Sequence, residues 1–185
     1  DHERYPDGVG RPWGTEVIIV DAEGRRLPRG ETGTIRVLSA GRAEGYLDDP
    51  LETQRVFLPG GWFHSGDVGS ITQDGHILFG GRGDDMMILG TINIFPAEIE
   101  GIASIFPGVA ECAAFGYRTN AHGDVPMLAV VETEAGAVDV AGLLAHCRDR
   151  LGLRTPRKVL IMESLPRNSG GKIVRRLLAS AVVAS

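Results

Sequence analysis

The spacing of apolar residues changes partway along this chain, and that change limits its fold more than any other feature. Glu16 to Val20 is β-branched, Ala22-Glu23-Gly24 is turn-like, and Thr34 to Leu38 resumes strand character, so the first part reads as a meander of short strands. Asp49-Pro50 sets a capping residue before a proline suited to a first helical position, which predicts a short helix over Leu51 to Phe57 with a turn at Pro59-Gly60-Gly61. Further strands are expected at His76 to Phe79 and Met86 to Leu89, separated by a loop over Gly80 to Gly83.

After Pro96 the period becomes helical. Ile99, Ile102, Ala103 and Phe106 fall on one face, and Val140, Leu143, Leu144, Cys147 and Leu151 repeat the spacing with Asp139 near its start. Val109 to Phe115, Met127 to Val131 and Lys158 to Met162 read as strands, with a polar turn over Asn120 to Asp124, and Val174, Leu177, Leu178 and Ala181 line a last helix. The expected class is α+β: a β-rich part over 1–81, then a separate small core over 86–185 with a short sheet flanked by helices. The boundary falls at Arg82 to Asp85. No internal repeat or low-complexity tract is visible.

Composition excludes several alternatives. Apolar residues make up 43% of the 185 and charged residues 23%, which favours a globular chain over disorder. Apolar runs stop short of the roughly 18 residues needed to span a bilayer, and no charged-then-apolar leader opens the chain, so it is read as cytosolic. Cys112 and Cys147 lack zinc or disulfide spacing and are expected to be reduced core thiols. The five histidines form no metal set, and no Ser/His/Asp or Cys/His arrangement emerges.

The net charge of −5 hides an asymmetry: Arg150, Arg154, Arg157, Lys158, Arg167, Lys172, Arg175 and Arg176 face only Glu163 within their own span. Such a segment suits phosphates or a solvated helix face. Nucleic acid is disfavoured, because aromatic residues do not interleave with these charges.

Four segments occur in one order: His64-Ser65-Gly66-Asp67, Gly81-Arg82-Gly83-Asp84-Asp85, Phe95-Pro96-Ala97-Glu98-Ile99-Glu100, and Leu165-Pro166-Arg167-Asn168-Ser169-Gly170-Gly171-Lys172. Together they resemble the adenylate-forming superfamily of acyl-CoA synthetases, aryl-CoA ligases, peptide-synthetase adenylation domains and luciferases. The resemblance runs over nearly the whole chain. It implies activation of a carboxylic acid by ATP with Mg²⁺, then capture of the acyl group by a thiol, usually CoA. It also implies that residues 82–85 hinge a mobile carboxy-terminal domain, with Asp84 at the pivot. The phrase Gly8-Val9-Gly10-Arg11-Pro12 resembles a stretch deep inside the family's amino-terminal domain, and nothing here matches the family's phosphate loop or its Tyr-Gly-x-Thr-Glu segment. The chain is therefore expected to be the carboxy-terminal part of such an enzyme, inactive alone, with the upstream part of the same enzyme as a partner and the Mg²⁺ ligand outside this chain.

The residues carry the chemistry as follows. A short carboxylate in a Ser-Gly-Asp turn can accept hydrogen bonds from two vicinal hydroxyls, and the resemblance assigns Asp67 to the ribose of ATP, with Arg82 nearby. Lys172 follows two glycines and precedes a helix, so a flexible loop would present its ammonium beside backbone N–H groups at a positive helix end. The resemblance makes Lys172 the catalytic lysine of adenylation, although the usual Ser-Gly-Lys is here Gly170-Gly171-Lys172. Gly90 follows Met86 to Leu89, where the family approaches the thiol, and would admit a pantetheine arm; a plain turn glycine is the alternative. Glu98 and Glu100 read as helix-end charges. The mostly apolar Asp85-Met86-Met87-Ile88 leans toward CoA ligases. The rivals are an adenylation domain loading a pantetheinylated carrier protein and a non-catalytic binding module of the same fold.

Overall fold

The computed structural model describes Tyr5, residues 8–119, Ala121 and residues 123–182. Of the polar turn expected over 120–124, Asn120 and His122 lie outside the described residues. The chain divides into two compact units, Asp1–Asp84 and Asp85–Ser185.

The first unit is one five-stranded antiparallel sheet built from β1 (Gly8–Gly10), β2 (Glu16–Val20), β3 (Gly33–Leu38), β4 (Trp62–Ile71) and β5 (Ile77–Arg82). Their order is β1-β5-β4-β3-β2. Ile19, Val20, Ile35 and Val68 bury their side chains, as does Val56 from α1 (Pro50–Val56). Helix α1 starts where Asp49-Pro50 predicts: an Asp49 Oδ1 atom accepts the Glu52 N–H at 2.9 Å, and Pro50 needs no donor at a first helical position. One sequence expectation changes here. The supposed loop over Gly80 to Gly83 is strand as far as Arg82, and Gly83–Asp85 then forms a 3₁₀ turn.

The second unit sets helices on both faces of a mainly antiparallel sheet. Its strands are β6 (Met87–Leu89), β7 (Ile92–Ile94), β8 (Val109–Thr119), β9 (Gly123–Glu132) and β10 (Val159–Ile161), with β10 parallel to β9 and β8 its antiparallel partner. Its helices are α2 (Pro96–Ala103), α3 (Val140–Leu151) and α4 (Arg175–Ala181). Alternate residues of a strand point to opposite faces. Ala114, Leu128 and Val130 therefore pack with Ile99 of α2 and Leu143 and Cys147 of α3, while Ala113, Phe115, Met127 and Ala129 pack with Leu178 of α4. Burial on both faces is why β8 and β9 read as continuous apolar runs rather than alternating ones. Each large side chain so buried contributes roughly 1.5–3 kcal/mol. Asp139 stands at the α3 amino end, but its side chain makes no capping bond there. Among the described residues, no helix is long and apolar enough to cross a membrane.

Candidate functional site

In the first unit the local geometry is set by an irregularity in β4. The register runs Thr34↔Val68 and then Arg36↔His64, so Ser65, Gly66 and Asp67 stand opposite Ile35 alone. The Ser65 hydroxyl donates to the Ile35 carbonyl at 2.9 Å and accepts the Asp67 N–H at 3.1 Å, which fixes the bulge. Gly66 takes φ +75°, and a Cβ there would come within 2.7 Å of Arg82 Nη2. The positive φ favours glycine, and a larger residue would also have to displace the end of the Arg82 side chain. The Ser-Gly-Asp segment expected as a turn is thus a bulge inside a strand.

This bulge aims Asp67 at Arg82 on β5. The two residues face each other in register, and Arg82 Nη1 donates to Asp67 Oδ1 at 3.0 Å and to the Ser65 carbonyl at 2.8 Å. A carboxylate offers about four acceptor positions, so this bond leaves capacity for further hydroxyl donors. Arg82 borders a cavity of about 450 Å³ whose wall also includes His64, Glu52, Arg55 and Asp84. Arg55 grips Glu52 through Nε and Nη2 at 2.7 and 2.6 Å, and that pairing holds the Glu52 carboxyl below its ordinary range. Burial, with Arg36 and Arg55 close by, pushes the His64 imidazole below its ordinary value. A neutral imidazole keeps one donor and one acceptor nitrogen. The cavity wall therefore sets two guanidinium groups, Arg55 and Arg82, among the carboxylates of Glu52 and Asp84, the His64 imidazole and the Ser65 and Tyr46 residues.

In the second unit Lys172 is exposed on a hydrogen-bonded turn. The Asn168 side-chain oxygen accepts the Gly170 and Lys172 N–H groups, each at 3.0 Å, and the Lys172 carbonyl accepts the Asn168 N–H at 2.9 Å. Arg167 donates to the Gly171 carbonyl at 2.8 Å and pairs with Glu111 of β8. Helix α4 begins at Arg175, with Val174 as its cap, so Lys172 precedes the helix rather than sitting at its amino end. Gly90 opens the two-residue connection between β6 and β7 at φ +62°, with no atom within 4 Å of where a Cβ would stand. Its turn conformation alone calls for glycine.

Sequence reasoning missed the role of Glu100. Far from being only a helix-end charge, its Oε1 accepts from the Ala114 N–H at 2.9 Å and from Arg175 Nη2 at 2.8 Å. The basic run is likewise less isolated than it reads, since Arg154 pairs with Glu98, Arg167 with Glu111, and Arg175 with both Glu100 and Asp85. No local signal reveals these partners, which lie far apart in sequence. Cys112 and Cys147 are free thiols, and burial raises that of Cys112 to about 11, which removes it as a thiolate nucleophile.

Comparison with known proteins agrees with this architecture. Residues 98–172 match the family described as AMP-binding enzyme C-terminal domain. Over 185 residues the chain is 33% identical to a probable CoA ligase of Humulus lupulus, covering 100% of this chain and 35% of that protein. It is 38% identical over 162 residues to a feruloyl-CoA synthase of Amycolatopsis sp, covering 87% of this chain and 33% of that one. The solved o-succinylbenzoate CoA synthetase from Bacillus subtilis, in complex with an acyl-adenylate intermediate, superposes with a TM-score of 0.87 at 27% identity, covering 96% of this chain and 36% of that one. In fold and sequence the chain is therefore similar to the carboxy-terminal portion of adenylate-forming CoA ligases. The chain spans about a third of the length of the curated relatives it matches.

Proposed function

We propose that this chain serves as the carboxy-terminal part of an ATP-dependent acyl- or aryl-CoA synthetase. In the first half-reaction a carboxylate oxygen attacks the α-phosphorus of ATP and pyrophosphate leaves, giving an acyl-adenylate. In the second the thiol sulfur of CoA attacks the acyl carbon and AMP leaves. The observation that supports the reading is Arg82 on a cavity wall with Ser65 and Gly66, paired at 3.0 Å with Asp67, which is not itself a lining residue; in this reading Asp67 would accept the ribose hydroxyls. Lys172 would hold the reacting carboxylate against the α-phosphate and offset the charge that develops there. Gly90 would leave the pantetheine arm a close approach, and Asp84 would be the pivot between the two half-reactions. The names of the relatives favour CoA over a carrier protein as acceptor. In this reading the Mg²⁺ ligands belong to the upstream part of the same enzyme.

Asp67→Ala in the complete enzyme is expected to raise the KM for ATP about tenfold or more, the loss of a charged hydrogen bond worth roughly 1.5–3 kcal/mol, with little change in affinity for the acid. Steady-state kinetics in each substrate checks this, and unaltered ATP kinetics would reduce Asp67 to a structural residue. The 185-residue chain by itself is expected to give no acid-dependent exchange of pyrophosphate into ATP, since its sequence contains neither a phosphate loop nor a Tyr-Gly-x-Thr-Glu segment. Robust exchange by the purified chain would overturn that division of labour.

A further inference from the structure

We propose that Arg175 is a positioning residue for Lys172, acting through a polar junction that fixes where the lysine-bearing turn leaves the domain; the proposal rests on the adenylation role given to Lys172 above. The junction starts from a backbone requirement. Ala114 is fully buried on β8 opposite Leu128, and in an antiparallel ladder alternate residues turn their N–H and C=O away from the partner strand. Those groups need other partners. The Ala114 N–H finds Glu100 Oε1 at 2.9 Å, and its carbonyl accepts from Arg175 Nε at 3.0 Å.

The same guanidinium donates through Nη2 to Glu100 at 2.8 Å and through Nη1 to Asp85 Oδ2 at 3.2 Å. One side chain therefore joins α2, β8, the start of α4 and the residue that opens the second unit. The Arg175 and Glu100 side chains are 24% and 23% exposed, so solvent screens this pair less than a surface pair. Three directed donors in one plane are a property of arginine that lysine lacks.

Hydrogen bonds connect the turn to this junction. The Val174 N–H donates to the Pro166 carbonyl at 2.8 Å, and Arg167 bridges Ile173, so the strip from Pro166 to Val174 closes on itself. At its other end Arg167 reaches Glu111, three residues before Ala114 on the same strand. Both ends of the Lys172 turn are thus tied to β8 by arginines. The tie at Arg175 is the more buried of the two.

The test uses the complete enzyme carrying Arg175→Ala or Arg175→Lys, each alone and combined with Lys172→Ala. Single-turnover acyl-adenylate formation, thioester formation from supplied acyl-adenylate, the KM for ATP and the thermal midpoint are measured. A displaced catalytic group costs up to about 100-fold, so both single variants are expected to slow adenylation by about 10–100-fold while keeping the ATP KM and the thioester step. In the Lys172→Ala background they should add no further loss, because their effect passes through the missing ammonium. Equal loss in both half-reactions, additive losses in the double variants, or full rescue by Arg175→Lys overturns the positioning role. If Lys172→Ala alone slows adenylation while the Arg175 variants run normally, only this inference falls. If Lys172→Ala has no effect, the adenylation reading of Lys172 falls and takes this one with it.

Discussion

Lys172→Ala in the complete enzyme is expected to slow acyl-adenylate formation by about 10²–10³-fold, the scale on which removing one group aimed at developing charge acts. Thioester formation from supplied acyl-adenylate should suffer much less. The split follows from chemistry: charge builds on the phosphoryl oxygens in the first step, and only interactions stronger in that transition state than in the ground state change its rate. The structure also makes the variant a clean one. The turn is held through the Lys172 N–H and carbonyl and through the Asn168 side chain, and none of those bonds uses the ammonium. The side chain is exposed, so alanine removes no core packing. Pyrophosphate exchange and the second half-reaction, measured on the same preparation, check the result. Equal impairment of both would make Lys172 a structural residue.

Where a segment's periodicity matches its environment, the sequence was a reliable guide. Helix α3 follows its apolar spacing from Val140 to Leu151, β2 spans Glu16 to Val20 as its β-branched run suggests, and α1 begins at the proline that Asp49 caps. Strand β4 was hidden because Ser65, Gly66 and Gly69 are poor strand formers taken singly. They stand where the strand bulges and Gly66 takes a positive φ. Gly80 and Gly81 disguised the end of β5 in the same way.

The candidate site was legible as residue types but not as contacts. Asp67 and Arg82 stand out as motif members, yet their pairing depends on the register of two strands, which no local pattern reports. Glu100 and Arg175 are 75 positions apart, so neither helical spacing nor charge counting could bring them together. The two glycines before Lys172 suggested mobility. The Asn168 side chain and Arg167 satisfy backbone groups of that turn, partners that the glycines themselves do not reveal.

Asp84→Pro is expected to leave one half-reaction running and to abolish the other. Asp84 is the last residue of the first compact unit and lies in the 3₁₀ turn Gly83–Asp85. Such turns run at φ of roughly −50 to −70°, and proline fixes φ near −65°, so the variant can keep this backbone and fold. What it loses is freedom to rotate away, and a hinge works by absorbing large φ/ψ changes at a few residues. If the locked form is competent for adenylation, acyl-adenylate accumulates while transfer to CoA collapses; if it is the thioester form, supplied acyl-adenylate is consumed while its synthesis stops. Proline also removes a carboxylate from the wall of the cavity that Arg55 and His64 share, so Asp84→Ala is the control for charge. That control keeps backbone freedom and should run both steps. Single-turnover assays of each half-reaction separate the outcomes, and normal overall turnover in a folded Asp84→Pro enzyme would move the pivot away from Asp84.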